Sequence, residues 1–311
     1  MRTMVTGGAG FIGSNLVRAL SEQGAQTVVL DDFSSGYPRN LTGTGPGVEV
    51  VEGSVLDAEL VSSLVRGADV VFHLAASVGN TRSIDDPVFD ARTNVIGTLN
   101  VLQACRAGGV AKVVYSSSAG IFGELKHLPI DESHPAEPDS PYGASKLAAE
   151  KECLAFAKLF ELDAIALRYF NVYGPNQRFD QYGNVIPIFV FRMLRGEPVT
   201  VFGDGEQTRD FINVRDVVQA NLKAAAAARG ISGAFNLGSG TRISINALVA
   251  NLTALMPHEP VVAYGPPRPG DVRDSLADIS KARATLGFSP SVELTEGLGD
   301  YVRWAQGEVT D

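Results

Sequence analysis

One segment near the N-terminus, Val5-Thr6-Gly7-Gly8-Ala9-Gly10-Phe11-Ile12-Gly13, constrains the fold more than any other. It joins a short apolar run, Thr3–Thr6, to an amphipathic stretch, Ile12–Gln23. At a strand-to-helix junction, Gly7 permits the tight turn and Gly10 lets backbone N–H groups approach a pyrophosphate at the positive end of the helix. Gly13 lets helix and strand pack closely. A glycine triplet alone is a weak signal, but the next apolar run, Thr27–Leu30, leads into Asp31 and Asp32. These fall about twenty residues on, where a carboxylate accepts hydrogen bonds from a ribose. A carboxylate there also repels a 2′-phosphate, which favours NAD over NADP. Gly7, Gly10, Phe11, Ile12, Asp31 and Asp32 are therefore the first candidate cofactor residues.

Further apolar, β-branched runs at Val48–Val51, Asp69–Leu74, Lys112–Tyr115 and Ala164–Arg168 alternate with helical stretches at Ala58–Val65, Val88–Ala107 and Tyr142–Phe160. Continuous apolar strands between helices predict an α/β, doubly wound parallel sheet of the Rossmann kind. A smaller C-terminal α/β region should follow it. Residues 1–168 are expected to form the dinucleotide-binding part, with room for later segments to return to it. Residues 169–311, richer in Gly, Pro, Arg and Asn, are expected to carry the substrate pocket.

The net charge of −9 and pI near 5.0 would repel nucleic acid and anionic membranes, so an anionic ligand must be met by local cations. Two cysteines, Cys105 and Cys153, are too few for a disulfide framework and lack zinc-site spacing. They read as buried thiols in a reducing compartment, and no metal is expected. The apolar runs, such as Val185–Leu194, fall short of the roughly 20 residues that span a bilayer. The N-terminus shows no secretory pattern. A soluble cytoplasmic protein without nucleic-acid or membrane partners is expected.

Ser140-Pro141-Tyr142-Gly143-Ala144-Ser145-Lys146 opens a long helix, with Ser140 suited to the N-cap and Pro141 to the first helical position. Tyr142 and Lys146 then share a face. A phenol with a pKa near 10 is a poor base at neutral pH, but a nearby ammonium and a positive nicotinamide stabilise the phenolate. Tyr142 is thus a candidate base toward an alcohol, and Lys146 a candidate partner of the phenol and of the nicotinamide ribose. The run Tyr115-Ser116-Ser117-Ser118-Ala119-Gly120 falls at a strand's carboxyl end, where ligands of open α/β folds bind.

These segments, together with His73-Leu74-Ala75-Ala76, Asn94-Val95-Ile96-Gly97-Thr98 and Arg168-Tyr169-Phe170-Asn171-Val172-Tyr173-Gly174-Pro175, resemble the extended short-chain dehydrogenase/reductases over nearly the whole chain. Within them the chain is most similar to the UDP-hexose 4-epimerases. The resemblance implies that Ser118, Tyr142 and Lys146 are catalytic, and that Ser54, Val55, Leu74, Ala75, Ala76, Asn94, Ser116 and Tyr169 line an NAD site. It implies a UDP-sugar held by Ser118, Asn171, Asn184, Val185, Phe202, Arg209, Arg268, Asp271 and Ser275. The two arginines suit a diphosphate in an acidic protein.

Sugar 4,6-dehydratases and decarboxylases of this kind carry acidic residues just after the active-site serine or threonine. Here Ala119 and Gly120 stand there, which favours oxidation and re-reduction at C4 alone. Ser275 falls where a bulky tyrosine in some relatives blocks N-acetylated sugars, so UDP-N-acetylglucosamine should be admitted beside UDP-glucose and UDP-galactose. There are two departures: Ser54 replaces the usual aspartate facing adenine, and Ser77-Val78-Gly79 differs from the pocket wall of N-acetylhexosamine epimerases. The alternatives are a UDP-glucuronate 4-epimerase, a 4-ketoreductase on a deoxysugar nucleotide, and a non-catalytic NAD-sensing protein. The resemblance further implies a homodimer through the helices at Val88–Ala107 and Tyr142–Phe160.

Overall fold

A computed structural model of the chain describes residues 1–180, 183–267 and 272–310. The six expected strands form with their ends moved by at most three residues: β1 (Arg2–Thr6), β2 (Gln26–Asp31), β3 (Val48–Glu52), β4 (Val70–His73), β5 (Lys112–Ser118) and β6 (Asp163–Tyr169). They run parallel in the order β3-β2-β1-β4-β5-β6, and a later strand, Gly233–Leu237, pairs with β6 to complete a seven-stranded sheet. Chain order reverses between β1 and β4, so the crevice beyond their carboxyl ends is the place for a ligand. The register aligns Thr6 with His73, His73 with Tyr115, and Ser118 with Tyr169, which gathers the Gly7, Leu74 and Ser118 loops on one rim.

The helices are α1 (Phe11–Glu22), α2 (Ala58–Val65), α3 (Asn80–Asp85), α4 (Pro87–Ala91), α5 (Gly97–Gly108), α6 (Pro141–Leu159), α7 (Val185–Leu194), α8 (Val214–Ala226), α9 (Ile245–Thr253), α10 (Ser280–Leu286) and α11 (Leu294–Thr310). Leu16, Val17 and Leu20 of α1 join Val217, Ala220 and Ala224 of α8 in one core layer. Val61, Val65, Val101, Leu102, Cys105 and Cys153 of α2, α5 and α6 form the other. Both faces of the sheet are thus covered, and β4 and β6 are buried throughout. Both cysteines are free and buried, and burial pushes their thiols far up.

The single helix expected over Val88–Ala107 is a correction. A π-turn, Arg92–Ile96, separates α4 from α5. The extra residue re-aims the side chains around Asn94, and such bulges recur at functional sites.

A third core, with Phe189, Val190, Val201, Leu248, Leu252, Leu298 and Tyr301, underlies the later region. This region is laced to the first: Asn15 donates to the Pro175 carbonyl, Asn176 to Ser14, and Arg178 to both Asn40 and Glu308. No helix among the described residues is long and apolar enough to cross a membrane.

Candidate active site

The glycine loop is built for close approach. A Cβ on Gly13 would stand 2.1 Å from the Gly7 carbonyl oxygen, so only glycine lets α1 begin against the turn. Gly10 caps α1 without a side-chain bond, and its first turn holds no acid. The N–H groups of that turn are left for an anion. Asp31 is buried beside the loop, its Oδ2 accepting from Ala9 N–H at 2.8 Å and its Oδ1 from Phe33 N–H at 2.9 Å. Burial pushes this carboxyl up and the two N–H groups oppose the shift. Each oxygen keeps a lone pair for a ribose hydroxyl. Asp32 is exposed and accepts from Ser34 N–H and Oγ. Ser54 accepts from Leu56 N–H within its own loop, and Val55 is buried.

A buried polar chain supports the next wall. Thr98 Oγ1 lies 2.6 Å from the Asn94 carbonyl and donates to it, so His73 Nε2 carries the proton that meets Thr98. His73 Nδ1 then accepts from Thr6 Oγ1 at 2.7 Å, and Thr6 accepts from Ala75 N–H. Burial, with Lys146 adding to it, holds His73 neutral, its pKa lowered to about 3. The Asn94 amide clasps the Ser77 backbone at both N–H and carbonyl. Leu74, Ala75 and Ala76 are therefore fixed half-buried beneath the glycine loop.

Ser140 caps α6 by accepting from Gly143 N–H, with Pro141 next, as expected. Tyr142 is half-buried and Lys146 fully buried one turn on. Ser118 accepts from Gly120 N–H, and Ser118 Oγ and the Tyr142 ring converge beside Gly120, at 3.3 and 3.7 Å from where its Cβ would stand. Burial raises the phenol pKa, Ser118 lowers it, and the charge of Asp90 raises it. The scaffold alone thus opposes the lowering expected for Tyr142, because desolvation outweighs the effect of Ser118. Lys146 Nζ lies over the Tyr115 ring at 4.5 Å, and burial brings its pKa down to about 8.

The Tyr169 hydroxyl pairs with Asn221 of α8, and Ser116 lies on the neighbouring strand β5. Below it, Arg168 forks onto buried Glu150 at 2.7 and 3.0 Å, and Ser117 donates to the same carboxylate.

In the later region, Asn171 donates to the Asp210 carbonyl, Arg209 to the Thr208 and Arg273 carbonyls, and Ser275 N–H to Thr208. Asn171, Arg209 and Ser275 are thereby drawn together, with Ser275 buried. Phe202 lines a cavity of about 490 Å³ with Asp204, Gln207, Pro267, Val272 and Arg273. Asn184 caps α7 with no side-chain bond and Val185 opens that helix. Arg268 and Asp271 lie outside the described residues.

Residues 3–238 match the model of the NAD dependent epimerase/dehydratase family. The chain belongs to this family. It is 41% identical to the UDP-glucose 4-epimerase of Mycolicibacterium smegmatis over 310 residues, covering 98% of each chain. Among solved structures, the UDP-glucose 4-epimerase of Thermotoga maritima with UDP-glucose aligns over 99% of both chains at 40% identity and a TM-score of 0.92. A UDP-N-acetylglucosamine 4-epimerase from Methanobrevibacter ruminantium aligns over 99% of this chain and 98% of its own, at 35% identity and a TM-score of 0.94.

In this epimerase/dehydratase, sequence reasoning missed the groups that hold the named residues in place. Asp90 and Ser145 bond to Asn94, and Asp210 accepts from Ser239, Gly240 and Ala277 N–H groups beside Arg209. Only the proximity of Ser145 to Tyr142 and of Asp210 to Arg209 offered a signal.

Proposed function

We propose that the protein is an NAD-dependent 4-epimerase of UDP-hexoses, acting on UDP-glucose and UDP-galactose and admitting UDP-N-acetylglucosamine. The observation that carries this reading is the convergence of Ser118 and Tyr142 beside Gly120 on the sheet rim, one helical turn from buried Lys146. Family membership and the open N-terminus of α1 support NAD, with Gly7, Gly10, Phe11, Ile12 and Asp31 holding it. NAD held there would supply a reversible hydride acceptor for C4, so that a flat 4-keto sugar free to turn over could be reduced on its other face. Tyr142 Oη takes the C4 hydroxyl proton and gives it back, Ser118 holds the same oxygen, and the Lys146 ammonium stabilises the phenolate. Arg209 is a phosphate anchor for the turning sugar, with Asn171 and Ser275 beside it. In this reading residues 1–168 serve the cofactor, and residues 169–311 serve the nucleotide sugar while lending Gly233–Leu237 to the sheet.

Ala119 and Gly120 form a tight turn with no acid or base, which argues against a dehydratase or decarboxylase. A cytoplasmic homodimer belongs to the same reading. Val88, Phe89, Ile96 and Leu159 are exposed apolar residues on the helices expected to pair. The test is incubation with UDP-glucose, UDP-N-acetylglucosamine or UDP-glucuronate without added NADH, following the C4 proton by NMR. Conversion of each of the first two to its own C4 epimer is expected. Conversion of UDP-glucuronate alone, or turnover only with NADH, would replace this reading with a uronate epimerase or a ketoreductase.

A further inference from the structure

Asp90 is a carboxylate in the wrong solvent. It is 1% exposed on α4 and makes no ion pair among the described residues. Burying a charge without compensation is expensive, so its place calls for groups that stabilise it. Two neutral donors do so directly: Ser145 Oγ at 2.5 Å from Oδ2, and Asn94 Nδ2 at 3.1 Å from Oδ1. Ser145 Oγ is also 3.0 Å from the Tyr142 carbonyl, but its one proton goes to the shorter, charged contact. α4 and the π-turn are thus tied to the first turn of α6, between the residues that carry the phenol and the ammonium.

The second uncompensated charge is Lys146, 2% exposed and also without an ion pair among the described residues. It is faced by Glu150 and Cys153 on its own helix, by Asp90 from α4, by His73 from β4 and by the Tyr115 ring from β5. Glu150 is already forked by Arg168, and His73 is neutral. Asp90 is the carboxylate left to balance the ammonium.

We propose that Asp90 is a positioning residue for the reaction: its carboxylate offsets the buried charge of Lys146 and, through Ser145, fixes the turn of α6 that presents Tyr142. The inference rests on the epimerase reading for its kinetic consequence and, for its electrostatic one, on the burial of Asp90 against Ser145, the residue that precedes Lys146. The same negative charge opposes ionisation of Tyr142, so removing it shifts both groups in one direction, which loss of a purely structural contact does not do.

The experiment compares wild type with Asp90→Asn, Asp90→Glu and Ser145→Ala. Lys146 and Tyr142 are titrated by NMR with carbon-13 at lysine Cε and tyrosine Cζ, the signals being assigned by their loss in Lys146→Met and Tyr142→Phe. Asp90→Asn is expected to lower both midpoints by about one unit or more, the effect of one buried opposite charge on Lys146 and its converse on the phenol. Asp90→Glu should restore the Lys146 midpoint. Ser145→Ala keeps the charge, so it should leave that midpoint in place and lower kcat about tenfold with little change in KM. Unmoved midpoints in Asp90→Asn, or full kcat in Ser145→Ala, overturn the proposal. Should Asp90→Asn not fold, a Lys146 midpoint lost in Asp90→Glu overturns it equally. A wild type that titrates as expected yet epimerises no UDP-hexose rejects the functional reading and leaves the electrostatic one standing.

Discussion

A Cβ placed on Gly143 would stand 2.4 Å from the carbonyl oxygen of Gly120 and 2.8 Å from the Pro138 side chain. The helix bearing Tyr142 therefore starts in direct contact with the loop that follows Ser118, and the obstacle is backbone that cannot swing aside. Gly143→Ala must push α6 outward and part the Ser118–Tyr142 pair. A misplacement of about 1 Å at reacting groups costs about a hundredfold in rate. We expect kcat to fall by that order while NAD stays bound, since the glycine cradle at α1 is untouched. Steady-state kinetics with a measurement of bound NAD checks this; an unchanged kcat means that the contact relaxes harmlessly.

Lys146 makes stability depend on pH in a defined direction. Its pKa is lowered by burial from 10.5 to about 8, so between those values the unfolded chain holds a proton that the folded one lacks. Stability from this group therefore rises as pH climbs through that window, and below about 8 the full cost of a buried ammonium is present. Lys146→Met removes the cost. The variant should be more stable than wild type at pH 7, and the gap should narrow by about 2 kcal/mol at pH 9.5. Urea unfolding at the two pH values reads the difference, and a gap independent of pH would show that the ammonium is not penalised.

The parts legible in the sequence are those with local signatures. The glycine loop, the acid after β2 and the capped Tyr142–Lys146 helix are each set by residues a few positions apart, and their spacing survives folding unchanged. The π-turn was not legible, because the apolar spacing of Val88–Ala107 reads as one helix and the bulge is held by bonds from Asn94 to Ser77, 17 residues away. Asp90 reads as the solvent face of a helix until α6 is laid over it. Gly233–Leu237 is too short and too loop-flanked to announce that it joins β6. Arg168 and Glu150, 18 residues apart on a strand and a helix, share no pattern at all.

That last pair lends itself to a stability test. Both partners are almost fully buried, with side-chain exposures of 5% and 0%, and the fork is bidentate. Arg168→Met leaves Glu150 as a buried charge with Ser117 its only hydrogen-bond donor among the described residues, which should destabilise the protein by about 3–5 kcal/mol. Replacing both residues, Arg168→Met with Glu150→Leu, removes the stranded charge and should recover much of that loss. Chemical denaturation of the three variants decides the matter. If the double variant is as unstable as the single one, the contribution lies in packing, for example against the Phe122 ring that Arg168 overlies, and not in charge.

Tyr142→Phe separates cofactor binding from proton transfer. The substitution removes one oxygen and keeps the ring that fills the space beside Gly120, so the Ser118 loop, the α6 cap and the glycine cradle should be unchanged. Bound NAD is therefore expected to survive purification of the variant. What disappears is the group that takes the C4 proton, and positioned acid–base catalysis contributes about 10²–10⁴ in rate. The remaining hydroxyl at the reaction centre, Ser118, is the cap of Ala119–Ile121 and accepts from Gly120 N–H. Turnover should fall within that range with KM nearly constant. Near-normal turnover would mean that the phenol is a bystander and that another group moves the proton, despite burial having already made this phenol reluctant to ionise without a cation at hand.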